Sequence, residues 1–162
     1  SLMPTNLYGP NDNYNEKSSH VMAALIKRFI EAKHNNLNSV TCWGTGTPLR
    51  EFLHVDDLGE ACIHVLEKWD PNLLDAPKDK NSNKLNILNV GTGKEISIQD
   101  LAKKIANLVG FEGTIEWDIS KPDGVRSKVL DITKIKSLGW EPKIDLNSGL
   151  RRVINDYQKK LR

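Results

Sequence analysis

The stretch Trp43 to Leu58, "WGTGTPLREFLHVDDL", gathers an indole, two glycines, a proline, an arginine and two adjacent aspartates around a short apolar run. Arg50 stands immediately before that run and Asp56-Asp57 immediately after it. A guanidinium grips a phosphate through two parallel hydrogen bonds, and an indole face stacks on a base. Arg28, Trp43, Arg50, Lys121 and Arg126 lie beside turns or on a helix that starts at one, so together they fit an anionic, planar ligand. Scattered surface charge around a core tryptophan is the competing reading. The aspartates suit a different purpose. Negative charge favours the positive end of a helix dipole, so Asp56 or Asp57 is expected to cap the next helix.

Other chemistry is less well supplied. Neither "GTGTPL" nor "GTGKEI" completes G-x-G-x-x-G or carries the G-K-[ST] ending of a phosphate loop, so each reads as a tight strand-to-turn connection. There are four histidines. His34 and His64 fall within helical patterns and His54 in a strand-like run, where a neighbour satisfies the ring. His20 differs, standing at a helix start beside a Pro/Gly-rich loop, where side chains line clefts. No G-x-S-x-G elbow, H-E-x-x-H or paired-cysteine metal site occurs, so no metal is expected.

Those residues sit in a chain of 162 amino acids, enough for one domain with a real core. The apolar fraction is 38% and the charged fraction 27%, a balance of soluble globular chains rather than disordered ones. With 23 basic against 21 acidic residues, bulk charge gives no reason to expect nucleic acid. The closing run "RRVINDYQKKLR" is locally basic, which also suits a last helical turn. Two cysteines without ligand spacing, Cys42 and Cys62, imply free buried thiols in a reducing, cytoplasmic setting. No run reaches the roughly 18 apolar residues of a membrane span, and no signal peptide heads the chain. The opening Ser1-Leu2 reads as a remnant joined to an excised piece of a longer protein.

Strand and helix signals alternate, which places the chain in the α/β class, α+β when taken alone. "PTNLYGPND" is a turn-rich loop. Ser18 or Ser19 caps a helix with Val21, Met22, Leu25, Ile26, Phe29 and Ile30 on one stripe. "SVTCW" and "REFLHV" are strands, the second held by Phe52 and Val55. The next helix buries Leu58, Ala61, Cys62, Val65 and Leu66. Residues 70–84 form a polar surface loop. "LNILNV" is a strand; Ser97 to Asp100 is a capping box opening a helix that ends at Gly110. "GTIEWD" is a strand, "ITKIKSLGW" a short helix, and the last helix presents Leu146, Leu150, Val153, Ile154, Tyr157 and Leu161.

Four segments in order, "PTNLYGPNDNY…SSHV…LIKRF", "WGTGTPLREFLHVDDL", "LNVGTGKEISIQDLA" and "SKPDGVRSKVLD…LGW", resemble the C-terminal half of the GDP-L-fucose synthase family of extended short-chain dehydrogenases. "REFLHVDDL" marks only the extended superfamily; "NLYGPNDN", "SSHV" and "SKPDG" narrow it. The resemblance implies a single substrate-binding unit over 1–162, some of whose strands complete the sheet of a dinucleotide-binding Rossmann half lying outside it. It implies an NADPH-dependent enzyme that epimerises C3 and C5 of GDP-4-keto-6-deoxy-D-mannose and then reduces the C4 ketone. By position, Pro4, Thr5, Asn6 and Leu7 would line the nicotinamide side of the cofactor. His20 would be the general acid, also near the cofactor, and an imidazole titrating near neutrality suits that work. Arg28, Trp43, Arg50 and Asp123 would hold the GDP-sugar, with Arg50 at the diphosphate. The family dimerises through helices of the other half, so the complete enzyme would be a homodimer. One departure stands out: the family's arginine-lysine pair after "KPDG" is here Arg126 and Lys128 with Ser127 between.

Such an enzyme also uses a Tyr-x-x-x-Lys pair. Tyr8, Tyr14 and Tyr157 are followed four residues on by Asp12, Ser18 and Leu161, and neither cysteine stands where the family's epimerising one would. The 162 residues alone are therefore expected to catalyse neither epimerisation nor reduction, an expectation that NADPH consumption with the keto-sugar nucleotide would contradict. Another nucleotide-sugar epimerase or dehydratase, or a binding module without chemistry, are the alternatives.

Overall fold

A computed structural model describes residues 1–161. Arg162, the end of the basic run, lies outside the described residues.

The chain forms β1 (Leu2–Pro4), β2 (Asn6–Tyr8), α1 (Val21–His34), β3 (Ser39–Trp43), β4 (Leu49–His54), α2 (Val55–Lys68), β5 (Leu88–Val90), β6 (Glu95–Ser97), α3 (Ile98–Val109), β7 (Thr114–Asp118), α4 (Thr133–Ser137) and α5 (Leu146–Lys160). The mixed class is as expected. Three small sheets divide the strands: β1 with β5, β2–β4–β6, and β3 with β7. All pairs are parallel except β4 with β6.

Two apolar clusters hold these layers. In the larger, Ile26 and Phe29 of α1, Leu101 and Ile105 of α3 and Leu150 and Val153 of α5 close over Cys42 and Phe52 from the strands. The smaller joins Leu53 of β4, Ala61 and Val65 of α2, Leu88 and Val90 of β5, and Ile135 and Trp140 near α4. β4 therefore feeds both clusters, through Phe52 and Leu53, and separates them.

Several local expectations need correction. The run read as a loop at "PTNLY" is two three-residue strands, paired to β5 and β4; its Pro4 is tolerated because it ends an edge strand. β6 went unforeseen for the same reason, its brevity. α1 is capped by His20 without a side-chain hydrogen bond, not by Ser18 or Ser19. α2 is capped by His54, whose Nδ1 accepts from the Asp56 N–H, rather than by either aspartate. Val55 opens α2 and is exposed, so it does not bury the β4 strand. Cys62 and Leu66 are exposed too, because the inward row of α2 is Asp57, Ala61 and Val65. Val21 and Leu161 also face outward. The Ser97–Asp100 box and the left-handed Gly110 cap formed as read, the latter at φ 73°.

Candidate functional site

The parallel register of β3 and β7 sets Trp43 opposite Asp118, so the chain leaves both strands at the same end. From β3 it enters the turn Gly44 to Pro48, and from β7 the segment Ile119 to Val129. Gly44 and Gly46 have φ of 79° and 74°, a region open to glycine at little cost. A Cβ on Gly46 would also run into the Trp117 ring and Gln99. The turn is then tied across to the other segment. Asp123 accepts from the Thr45 N–H at 2.9 Å and from the Thr45 hydroxyl at 2.6 Å. Those bonds hold its carboxyl below the ordinary aspartate range, the hydroxyl contributing most.

Arg50, half-buried at the start of β4, donates from Nη1 to the carbonyls of Leu49 and Val125, each at 2.6 Å. The Leu49 N–H reaches the Arg126 carbonyl at 2.8 Å. Arg50 and Asp123 thus fasten the same segment from two sides. Arg28 donates to the Thr41 carbonyl at 3.3 Å and places its guanidinium carbon 5.6 Å from the centre of the Trp43 ring. Lys121 brings its ammonium to 5.8 Å from that ring, which is 65% exposed. Among the described residues, Arg28, Arg50, Lys121 and Arg126 take part in no ion pair. Arg28 and Lys121, gathered at one exposed ring without an ion pair, keep charge for an anion.

Beside Trp43 lies a hollow of about 440 Å³ bordered by Glu16, Lys17, Ser19, Arg28 and Glu31. Lys27 pairs with Glu16 at 3.3 Å and approaches Glu31 at 3.8 Å, and Arg28 and Lys17 are the cations there outside those pairs. Arg28 and Trp43 are brought together; Arg50 and Asp123 do not line this hollow and meet instead on the 123–125 segment. His20, next to Ser19 in sequence, is exposed at the α1 start, with no side-chain hydrogen bond.

A second knot lies on the other side of β4. Glu51 is fully buried and its carboxylate accepts from the N–H groups of Thr92 (2.5 Å), Gly93 (2.7 Å) and Leu130 (2.8 Å). Its carbonyl takes the Asn6 amide at 2.8 Å and the Thr5 hydroxyl at 3.3 Å. Pro4 and Leu7 are half-buried in the adjoining strands. Both glycine turns consequently have amides engaged by a carboxylate of this chain, Asp123 in one and Glu51 in the other. Neither Thr45 nor Glu51 stood out in the sequence. Nothing about a threonine in a turn, or a glutamate between an arginine and a phenylalanine, announces a partner tens of residues away.

The first 91 residues match the model of the NAD dependent epimerase/dehydratase family. The chain belongs to that family. It is 47% identical over 159 residues to GDP-L-fucose synthase 1 of Arabidopsis thaliana, an alignment covering 98% of this chain and 45% of the relative. The chain therefore spans about half the length of the curated relatives it matches. Among solved structures, a GDP-6-OMe-4-keto-L-xylo-heptose reductase from C. jejuni superposes with a TM-score of 0.82 at 31% identity, covering 98% of this chain and 53% of that one. UDP-glucose 4-epimerase from Thermotoga maritima gives 0.80 at 28% identity, over 99% of this chain and 46% of its own. Among the described residues no helix is long and apolar enough to cross a membrane.

Proposed function

We propose that residues 1–162 are the substrate-binding unit of an NADPH-dependent GDP-4-keto-6-deoxy-D-mannose 3,5-epimerase/4-reductase, the product being GDP-L-fucose. The observation that carries this reading is the group of cations without counter-charge around an exposed indole, in a chain so similar to a GDP-L-fucose synthase. Arg28 and Arg50 balance the diphosphate, Trp43 offers a flat apolar face, and Asp123, fixed by Thr45, keeps lone pairs for a hydroxyl of the ligand. His20 has an imidazole free of internal bonds, and it delivers a proton to the enolate carbon during epimerisation.

For the cofactor the residues present fit one edge only. Thr5 and Asn6 are oriented by the Glu51 carbonyl, and with Pro4, Leu7 and His20 they would border a nicotinamide. The glycine turns, with amides already engaged, offer no free cradle for its diphosphate. NADPH supplies hydride to the C4 ketone when bound, held mainly by a dinucleotide-binding half such as the relatives have room for. The complete enzyme would be a cytoplasmic homodimer.

The similarity to a UDP-glucose epimerase supports a second reading, a nucleotide-sugar enzyme with another base. Calorimetric titration of the chain with GDP tests the first. Arg50→Ala should weaken binding by about tenfold or more, the worth of a charge-assisted hydrogen bond. An Arg50→Ala isotherm superimposing on the wild type would remove Arg50 from the site.

A further inference from the structure

Lys121 has so far been only one of a group of cations, with no contact of its own to the GDP-sugar, yet its backbone is closely specified. β7 ends at Asp118 opposite Trp43, and the Lys121 N–H closes the next turn onto the Asp118 carbonyl at 3.2 Å. The Asp118 carboxylate is spent on the Ser120 N–H (3.1 Å) and hydroxyl (2.5 Å), and it forms no ion pair with Lys121. The ammonium is instead held 5.8 Å from the indole centre, with the Arg28 guanidinium 5.6 Å from the same ring. A ring quadrupole attracts each cation by only about 0.5–1 kcal/mol at an exposed site. That biases two flexible side chains toward the ring without fixing them, and Asp118, though bonded to Ser120, still acts on Lys121 through space.

We infer that Lys121 and Arg28, gathered on Trp43, form a clamp for a phosphoanhydride, and that Lys121 is the residue that distinguishes a nucleoside diphosphate from a monophosphate. The inference rests on the GDP-sugar reading and adds to it a specificity-determining contact. An ammonium is a compact point charge, suited to the second phosphate without demanding a fixed fork. Arg50 is held independently, its Nη1 engaged with two carbonyls rather than gathered on the Trp43 ring, so the two contacts to the diphosphate are separable.

The test uses the intact chain and the fluorescence of Trp43, the most exposed of its tryptophans, titrated with GDP and with GMP. Wild type should bind GDP more tightly than GMP. Lys121→Ala should lower GDP affinity by about tenfold, leave GMP affinity within about twofold, and so abolish the preference. Lys121→Arg should restore it, which a merely structural role on the Trp43 ring would not tie to phosphate number. Lys121 is exposed on a loop, so the fold does not depend on it. GDP preference unchanged in Lys121→Ala, in a protein where Arg50→Ala weakens GDP, overturns the inference and spares the functional reading. Wild type that binds neither nucleotide overturns both.

Discussion

Glu51 is the residue on which most of the architecture around the site converges. A carboxylate removed from water costs several kcal/mol unless its oxygens are satisfied, and here three backbone N–H groups from two separate segments satisfy them. A Cβ on Gly91 would overlap the Glu51 carboxyl, so that glycine is required by close approach rather than by backbone angle. Glu51→Ala strands three donors at once and should cost about 3–5 kcal/mol, read as a fall in the urea midpoint with the slope unchanged. A loss below about 1 kcal/mol would mean that water replaces the carboxylate without penalty. Nothing in "REFL" foretells this. At the residue scale, the meeting of Arg28 with Trp43 was legible from residue types beside a turn, whereas Arg50 lies outside their hollow. Chemistry was illegible where it depended on a long-range partner, as for Glu51 with Thr92 and Asp123 with Thr45.

Among the elements, α2 shows how a cap and a packing face combine. His54 is fully buried, its Nδ1 accepting from the Asp56 N–H and its ring meeting Tyr8 edge to face at 5.3 Å. An acceptor Nδ1 means the neutral tautomer with its proton on Nε2. Burial lowers the His54 pKa, against the pull of Asp56 and Asp57 upward and with Arg152 assisting. Tyr8, also facing the ring, has its phenol pushed up by burial first and by Asp57 and Asp145 next, so it stays uncharged. The unfolded chain therefore takes up a proton at about pH 6.5 while the folded one still refuses it. Stability should be full above that value and fall as the pH drops below it, toward the depressed folded value. His54→Asn keeps an acceptor at the cap and should flatten the profile between about pH 7 and pH 5 in denaturant titrations; parallel profiles would contradict this. Helices were legible through their apolar period, except on α2, where Asp57 in the inward row bonds the Lys143 and Ile144 N–H groups. That charged residue shifted the buried face away from Cys62 and Leu66. Strands of three residues carry too little alternation to be read.

For the whole molecule, one end of the β3–β7 pair gathers Arg28 and Lys121 at Trp43, and the 121–126 segment runs on from there, tied to the Thr45 turn by Asp123 and to β4 by Arg50. The class and order of elements were readable in advance because each long helix and strand carries its own pattern. The assembly of the site was not, since it rests on register and on loop-to-loop hydrogen bonds. β1 pairs only with β5 among the described residues, and its other edge is open, as expected of strands that complete a larger sheet. The claim most exposed to failure is that this end selects a guanosine diphosphate. Calorimetric titration of the chain with GDP and with UDP under identical buffer and salt decides it. Saturable binding of GDP at least about tenfold tighter than UDP is the expected result. Equal affinity for the two, or tighter UDP binding, would contradict that claim and favour an enzyme of another nucleotide sugar.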